Sequence, residues 1–395
     1  MCAKLKYLIV IICLFLPNKS YEIYHVVLTA PIAFYLLLNR KIHVNIYVIF
    51  ILAGIGLLWL FALIRGIYFD SYALRDYLEI ARFVPLLLLI LINPSFDPKK
   101  LTVIFFTYVS FDFLISISQF FMIDALGFFT NFYGSAYHLD TSLFLNNRAT
   151  GLSTGPGQHG TIMTLFYVYF LFLYLFNLRM GKLAAFGAVL SIGSILLSQS
   201  QTSFIASLLI SGWMAVYTLW NGSYKSKLKS VRLGVVGVLL GTGIFVAFFQ
   251  QLRYLFSLFT LGLERNSFQR RLGKVDVVKD AVYQYPEMVG TGFGNSFFGN
   301  FARAMDNEYM YIFSVYGAII GGTMFFFVFL FIGIAYYKGL SISARYLLIA
   351  FILTVGLVIA YPTVFFTESR IMFLIGVLFF SDFMKIQPLP SLKHP

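Results

Sequence analysis

The feature that most constrains this chain is a succession of apolar runs, each about 17 to 22 residues long, separated by polar breaks. A helix rising 1.5 Å per residue needs about that length to cross the hydrocarbon of a bilayer. The runs start near Leu5, Tyr21, His43, Asp76, Leu101, His159, Lys182, Thr202, Val231, Asn307, Ala344 and Val364. They predict an all-α fold: a polytopic integral membrane helix bundle of about 12 transmembrane helices, forming one domain over 1–395. Composition agrees, because 59% of the residues are hydrophobic and only 11% are charged, against roughly 25% charged in a soluble domain. Phe (46) and Tyr (26) are heavily used, which suits lipid-facing surfaces and interfacial belts. The only cysteines, Cys2 and Cys13, can build neither a disulfide framework nor a thiolate metal site.

The net charge of +13 points either to nucleic acid or to a membrane surface, and its distribution decides between them. With the N-terminus inside, the inner loops collect Lys4, Lys6, Arg40, Lys41, Lys99, Lys100, Arg179, Lys182, Lys225, Lys227, Lys229, Arg232, Lys338, Arg345, Lys385 and Lys393. That is 16 of the 29 basic residues, whereas Asp97 and Asp382 are the inner acidic ones among 16. Short, basic inner loops follow the positive-inside rule. Both termini are therefore expected in the cytoplasm, and no basic patch remains for nucleic acid. Lys4 and Lys6 before an apolar stretch resemble a signal peptide, but Pro17-Asn18-Lys19-Ser20 offers no small-x-small cleavage site. The first run reads as a short retained helix.

Two loops on the outer side are much longer than the rest, about 123–158 and 253–306. Long loops between packed helices tend to carry function. The first ends in Asn146-Asn147-Arg148-Ala149-Thr150-Gly151-Leu152-Ser153-Thr154-Gly155-Pro156-Gly157-Gln158-His159-Gly160. Gly and Pro at this density force irregular backbone, which lasts at membrane depth only when buried in protein or lining a cavity. The stretch is either a plain turn into the next span or the lining of a site at the outer mouth. The second loop spaces Arg265, Arg270, Arg271, Lys274 and Lys279 among valines. That pattern fits a helix lying on the headgroups, or guanidiniums gathered around an anionic lipid diphosphate, which their planar fork matches.

Gly290-Thr291-Gly292-Phe293-Gly294-Asn295 follows, without the strand that a dinucleotide loop requires. It reads instead as a flexible loop closing against a substrate. Asp306-Asn307-Glu308-Tyr309 opens the tenth run, where Asp306 is either a helix cap or a reacting group. Asp112 is a carboxylate in the middle of an apolar run, costly unless it pairs with a polar group on another helix. Glu368 and Arg370, near the outer end of the last run, are either a surface ion pair or part of the wall of the site. Five scattered histidines supply no metal-ligand motif.

These residues resemble the O-antigen polymerase (Wzy) and O-antigen ligase superfamily. Arg148 with its Gly/Pro-rich sequel looks like the arginine motif of the family's first long loop. Arg271, fifteen residues before Pro286 and leading to Gly290–Gly294, is similar to the arginine helix and glycine turn of the second. Asp306-Asn307-Glu308-Tyr309, followed by Gly317 and Gly321-Gly322, resembles the acceptor-side motif. Ligases usually carry His-Asn there, so Asp306 favours a polymerase. Val275 stands where many relatives have tryptophan, and Gln201 where an arginine often follows serine.

The resemblance implies a metal-independent glycosyltransferase of the bacterial inner membrane, without a cofactor. It would join undecaprenyl-diphosphate-linked oligosaccharide repeat units on the periplasmic face. Arg148 and Arg271 would hold the diphosphate, with Arg265, Arg270 and Arg303 in reserve. Asp306 is the first candidate base, before His159 and Glu308, with Asn307, Tyr309, Glu368 and Arg370 in the wall of the site. The implied partners are lipid-linked glycans and membrane lipid, with a chain-length regulator and a flippase alongside. The competing classes are an O-antigen ligase-type transferase and a polysaccharide-lipid flippase or transporter.

Overall fold

The computed structural model describes residues 2–17, 21–39, 43, 46–69, 72, 74–78, 83–123, 126–176, 180–261, 269, 273, 290–292, 307–361 and 363–381. Among the described residues every regular element is a helix, and one isolated parallel bridge joins Phe96 to Ser381. In chain order the helices are α1 (Cys2–Phe15), α2 (Tyr21–Asn39), α3 (Ile46–Phe69), α4 (Leu74–Leu78), α5 (Val84–Ile92) and α6 (Pro98–Phe120). Next come α7 (Gly127–Tyr133), α8 (Ala136–His138), a π-helical turn (Leu139–Phe144), α9 (Pro156–Leu175), α10 (Gly181–Ser198) and α11 (Gln201–Asn221). Then follow α12 (Tyr224–Phe248), α13 (Arg253–Leu261), α14 (Glu308–Ile342), α15 (Ala344–Ile359) and α16 (Ser369–Phe379).

Six of these helices, namely α3, α6, α9, α10, α11 and α14, are long and apolar enough to cross a bilayer. Shorter apolar helices lie in α2 (Val26–Leu38), α15 and α16. The chain is a helical membrane protein. In the run expected to start near Asp76 the described helices are α4 and α5. Pro85 stands in the first turn of α5, where a missing N–H costs nothing and the fixed φ starts a new helix. The expected loop at 123–158 carries α7, α8 and the π-helical turn, and the following helix begins at Pro156, not at His159, for the same reason.

Hydrogen bonds show which helix ends lie together. At one end Asp97 N donates to Tyr7 Oη at 2.9 Å, Phe96 N to Phe380 O at 3.0 Å, and Lys6 Nζ to Ser95 O. Contacts of Thr102 with Tyr169 and of Asp112 with His159 set α6 and α9 antiparallel. The C-terminal end of α9 therefore joins the Lys99 and Lys100 end of α6, and there Lys229 Nζ donates to Tyr174 O at 3.0 Å. At the opposite end Tyr133 Oη donates to Phe15 O, Arg370 to Leu16 O and Glu308 N to Ala360 O. Lysines gather at the first end, whereas the Gly/Pro-rich stretch lies at the second.

Helix α9 is apolar on all sides and central, with 83% of its membrane-length window buried against 17% for α14. Between apolar helices in lipid, close packing rather than the hydrophobic effect decides contact. Small residues permit it here: a Cβ on Gly187 would overlap the Phe170 ring, and one on Gly160 would overlap Ser200 and Ser203. Edge-to-face rings bind α6 to α9, Phe105 lying 5.2 Å from Phe166 and 5.1 Å from Tyr169. Helix α1 belongs to this packing, since Val10, Cys13 and Leu14 are fully buried.

Helix α14 is broken at Gly317, whose φ of 82° leaves the helical region. Gly290–Gly292 lie against the break. Thr291 N donates to Ser314 O at 2.7 Å and Gly292 N to Val315 O at 3.1 Å, so carbonyls in the last turn before the break are satisfied. Gly290, at φ 74°, touches the Gly317 backbone so closely that a Cβ would overlap it. The expectation of a flexible closing loop is corrected for these three residues: they are buried and tied to α14 by backbone hydrogen bonds.

Candidate functional site

The polar network at the lysine-poor end starts from one face of α6. Asp112, Ser116 and Gln119 are spaced i, i+4, i+7, and all three are buried. Asp112 Oδ2 accepts from His159 Nε2 at 2.7 Å, with both side chains fully buried. The pairing expected for Asp112 is thus made with the first turn of α9. Asp112 Oδ1 accepts from Leu152 N at 2.9 Å. Gln119 Oε1 accepts from Thr150 N at 2.9 Å and from Gly151 N at 2.8 Å. Three successive backbone N–H groups of the Gly-rich stretch therefore end on α6 side chains. Gly151 is required, because its φ is +51° and a Cβ would overlap both Asp112 and His159.

Arg148 emerges at the edge of this clamp. Its N donates to Ser142 O at 3.2 Å and its Nε to Ser198 O at 3.2 Å, and its guanidinium lies 4.2 Å from the centre of the Tyr254 ring. Two glutamines of the α10–α11 turn hold Tyr254 there. Gln199 Oε1 accepts from Leu255 N at 3.2 Å, and Gln201 Nε2 donates to Tyr254 O at 2.6 Å. The α10–α11 turn contains a fully buried Gln199, whose amide also donates to Asn146 O at 3.2 Å. Tyr254, Gln199 and Gln119 did not emerge from the sequence as site residues. The polar stripe on α6 was the readable signal for Gln119, whereas Tyr254 carries none.

On the other side of the clamp lie Glu368 and Arg370. Neither is on the surface: Glu368 is 9% exposed and Arg370 fully buried, so the reading as a surface ion pair is corrected. Glu368 caps α16 through Ile371 N at 3.0 Å and accepts from Gln158 Nε2 at 3.0 Å. Arg370 donates to Leu152 O at 3.4 Å and Leu16 O at 2.6 Å, tying α1 and the Gly-rich stretch to α16.

Glu308 is fully buried at the start of α14. Its Oε2 accepts from Phe365 N at 2.7 Å and Phe366 N at 2.8 Å, and its Oε1 from Thr367 N at 2.5 Å and Thr367 Oγ1 at 2.8 Å. Asn307, rather than Asp306, is the helix cap, accepting from Met310 N at 3.1 Å. Tyr309 Oη donates to Leu357 O at 2.5 Å, joining α14 to α15. Arg265, Arg270, Arg271, Arg303 and Asp306 lie outside the described residues.

The network brings together Arg148, His159, Glu368 and Arg370 through the 149–158 backbone. Glu308, Asn307 and Tyr309 form a second cluster, joined to the first by the turn at 365–367. A buried ion pair, Arg65 with Asp76 at 3.9 Å, lies beneath Gly292. Among the described residues no group of three His, Cys, Asp or Glu is arranged to hold a metal ion. No protein-family model matches this chain and no curated protein sequence matches it, so the chemistry of the site rests on its own residues.

Proposed function

We propose that this protein is a glycosyltransferase of the bacterial inner membrane, crossing it about twelve times. It polymerises undecaprenyl-diphosphate-linked oligosaccharide repeat units on the extracytoplasmic face, as an O-antigen or related surface-polysaccharide polymerase. The observation that carries this reading is Arg148: a half-buried guanidinium, stacked on an aromatic face, at the end of the bundle opposite the lysines. By the positive-inside rule the lysine end is cytoplasmic. A guanidinium at the outer mouth is suited to a phosphate of a membrane-borne donor.

In the transfer, an acceptor sugar hydroxyl oxygen bonds to the anomeric carbon of the donor. The bond from that carbon to the diphosphate oxygen breaks, and undecaprenyl diphosphate leaves with the electron pair. Arg148, with Arg271 from the second loop, stabilises the charge that develops there. The hydroxyl proton passes to a carboxylate, for which Asp306 is the candidate. The test uses purified protein in proteoliposomes supplied with lipid-linked repeat units, with polymer resolved on a gel. Wild type should form polymer. Arg148→Ala should form none at equal abundance, and Arg148→Lys should recover only part, because a point charge lacks the fork. Full polymer from Arg148→Ala would remove the assignment.

The break in α14 favours a second reading, because interrupted helices closed by irregular backbone are common where transporters bind substrate. Movement of the lipid-linked unit across the vesicle membrane without polymer would select a flippase instead.

A further inference from the structure

His159 differs from an ordinary base candidate in what surrounds its ring. Nε2 faces the Asp112 carboxylate at 2.7 Å and Nδ1 faces Ala149 O at 3.3 Å. Both ring nitrogens therefore already face polar partners inside the protein, and neither is open to a substrate. The ring is also fully buried beneath Gly151, which a substrate would have to displace. Asp112 is equally enclosed, its oxygens spent on His159, Leu152 N and Ser116 Oγ. These two residues touch no open space. What they touch is the backbone on the C-terminal side of Arg148.

That backbone has no regular structure of its own to hold it. Ala149 N donates to Leu197 O at 3.0 Å, Thr150 N and Gly151 N to Gln119, and Leu152 N to Asp112. The direction in which Arg148 leaves the loop is therefore set by α6 through Asp112 and Gln119, and by α9 through His159. The far side of the guanidinium is set by Tyr254. A charged side chain has many rotamers to lose, and one held at its root loses fewer on binding.

We propose that Asp112 and His159 are positioning residues, a buried clamp that fixes the 149–152 backbone so that Arg148 meets the lipid diphosphate ready-oriented. This deepens the polymerase reading and rests on it. His159 is thereby withdrawn as a base, leaving the carboxylates for that step.

The experiment is a double-mutant cycle on purified protein, reading affinity for undecaprenyl diphosphate together with hydrogen exchange of the 146–156 segment. Asp112→Asn keeps an acceptor for Leu152 N–H and removes the charge facing His159. It should weaken binding about tenfold, within the coupling range of residues joined through one hydrogen-bond network, and raise exchange in that segment. Gln119→Leu should act in the same direction. Thr354→Ala, on α15 and outside this network, should leave both readouts unchanged. In an Arg148→Ala background Asp112→Asn should cost nothing further, because the clamp acts through that side chain. A general folding defect would instead multiply the losses, and multiplied losses would overturn the proposal. So would wild-type affinity in Asp112→Asn with raised exchange, since the clamp would then hold the loop without serving the ligand. Wild type that fails to bind undecaprenyl diphosphate would remove the lipid-donor reading itself, a result distinct from either.

Discussion

Replacing Glu308 by Gln tests whether this carboxylate is an anchor or a reacting group. The side chain is fully buried and receives four hydrogen bonds, two on each oxygen, from the turn at 365–367. A glutamine offers one oxygen and one NH2. Its best orientation turns the oxygen to Phe365 N and Phe366 N and lets Thr367 Oγ1 accept from the amide. Thr367 N–H is then a buried donor facing a donor, which costs about 1–3 kcal/mol. The two retained bonds change from charge-assisted to neutral, a loss of about 1 kcal/mol each. The sum is roughly 3–5 kcal/mol, which should lower the temperature of unfolding by about 4–6 °C in a chain of this size. The assay is the fraction of protein in detergent remaining monodisperse after heating, with polymer synthesis measured below the transition. Unfolding within about 1 °C of wild type would refute the anchor. If such a protein also made no polymer, Glu308 would have to act on the substrate.

Three further outcomes follow from the geometry. Tyr254→Phe should retain the affinity for undecaprenyl diphosphate, whereas Tyr254→Leu should lose about threefold to tenfold, the cation–π contribution of an aromatic face; equal losses would place the effect in the hydroxyl. Because Asn307 already caps α14, Asp306→Asn should leave thermal stability unchanged while slowing polymer formation about 100-fold or more if Asp306 takes the acceptor proton; an active Asp306→Asn protein would move the base elsewhere. An impermeant thiol reagent on intact cells should label Asn146→Cys and spare Lys225→Cys, both exposed positions at opposite ends of the bundle; the reverse pattern would invert the topology.

Much of the architecture was legible without coordinates, because lipid makes the reading simple. An apolar run of sufficient length has to become a helix, and basic residues between runs choose its direction. Some local details were readable for equally local reasons. Asp112, alone among apolar neighbours, needed a partner, and its spacing with Ser116 and Gln119 could have marked a polar face on α6. Pro85 and Pro156 could have marked the starts of α5 and α9, since proline is favoured in a first turn.

Which groups meet across the bundle was not legible. Every apolar run is driven into the membrane alike, so hydropathy carries no information about lateral neighbours. His159 stands 47 positions from Asp112, and Gln158 is 210 from Glu368; each pair exists because helices of particular shape pack side by side. The same holds for Tyr254, brought beneath Arg148 by Gln199 and Gln201, and for Gly290–Gly292, seated at the break in α14. By itself the sequence determined that the chain is a helical membrane protein, because bilayer thickness acts on each apolar segment separately. Only the tertiary structure decided that Arg148 is held by Ser198 of α10 and Tyr254 of α13, because that arrangement depends on close packing among helices that lipid alone would leave apart.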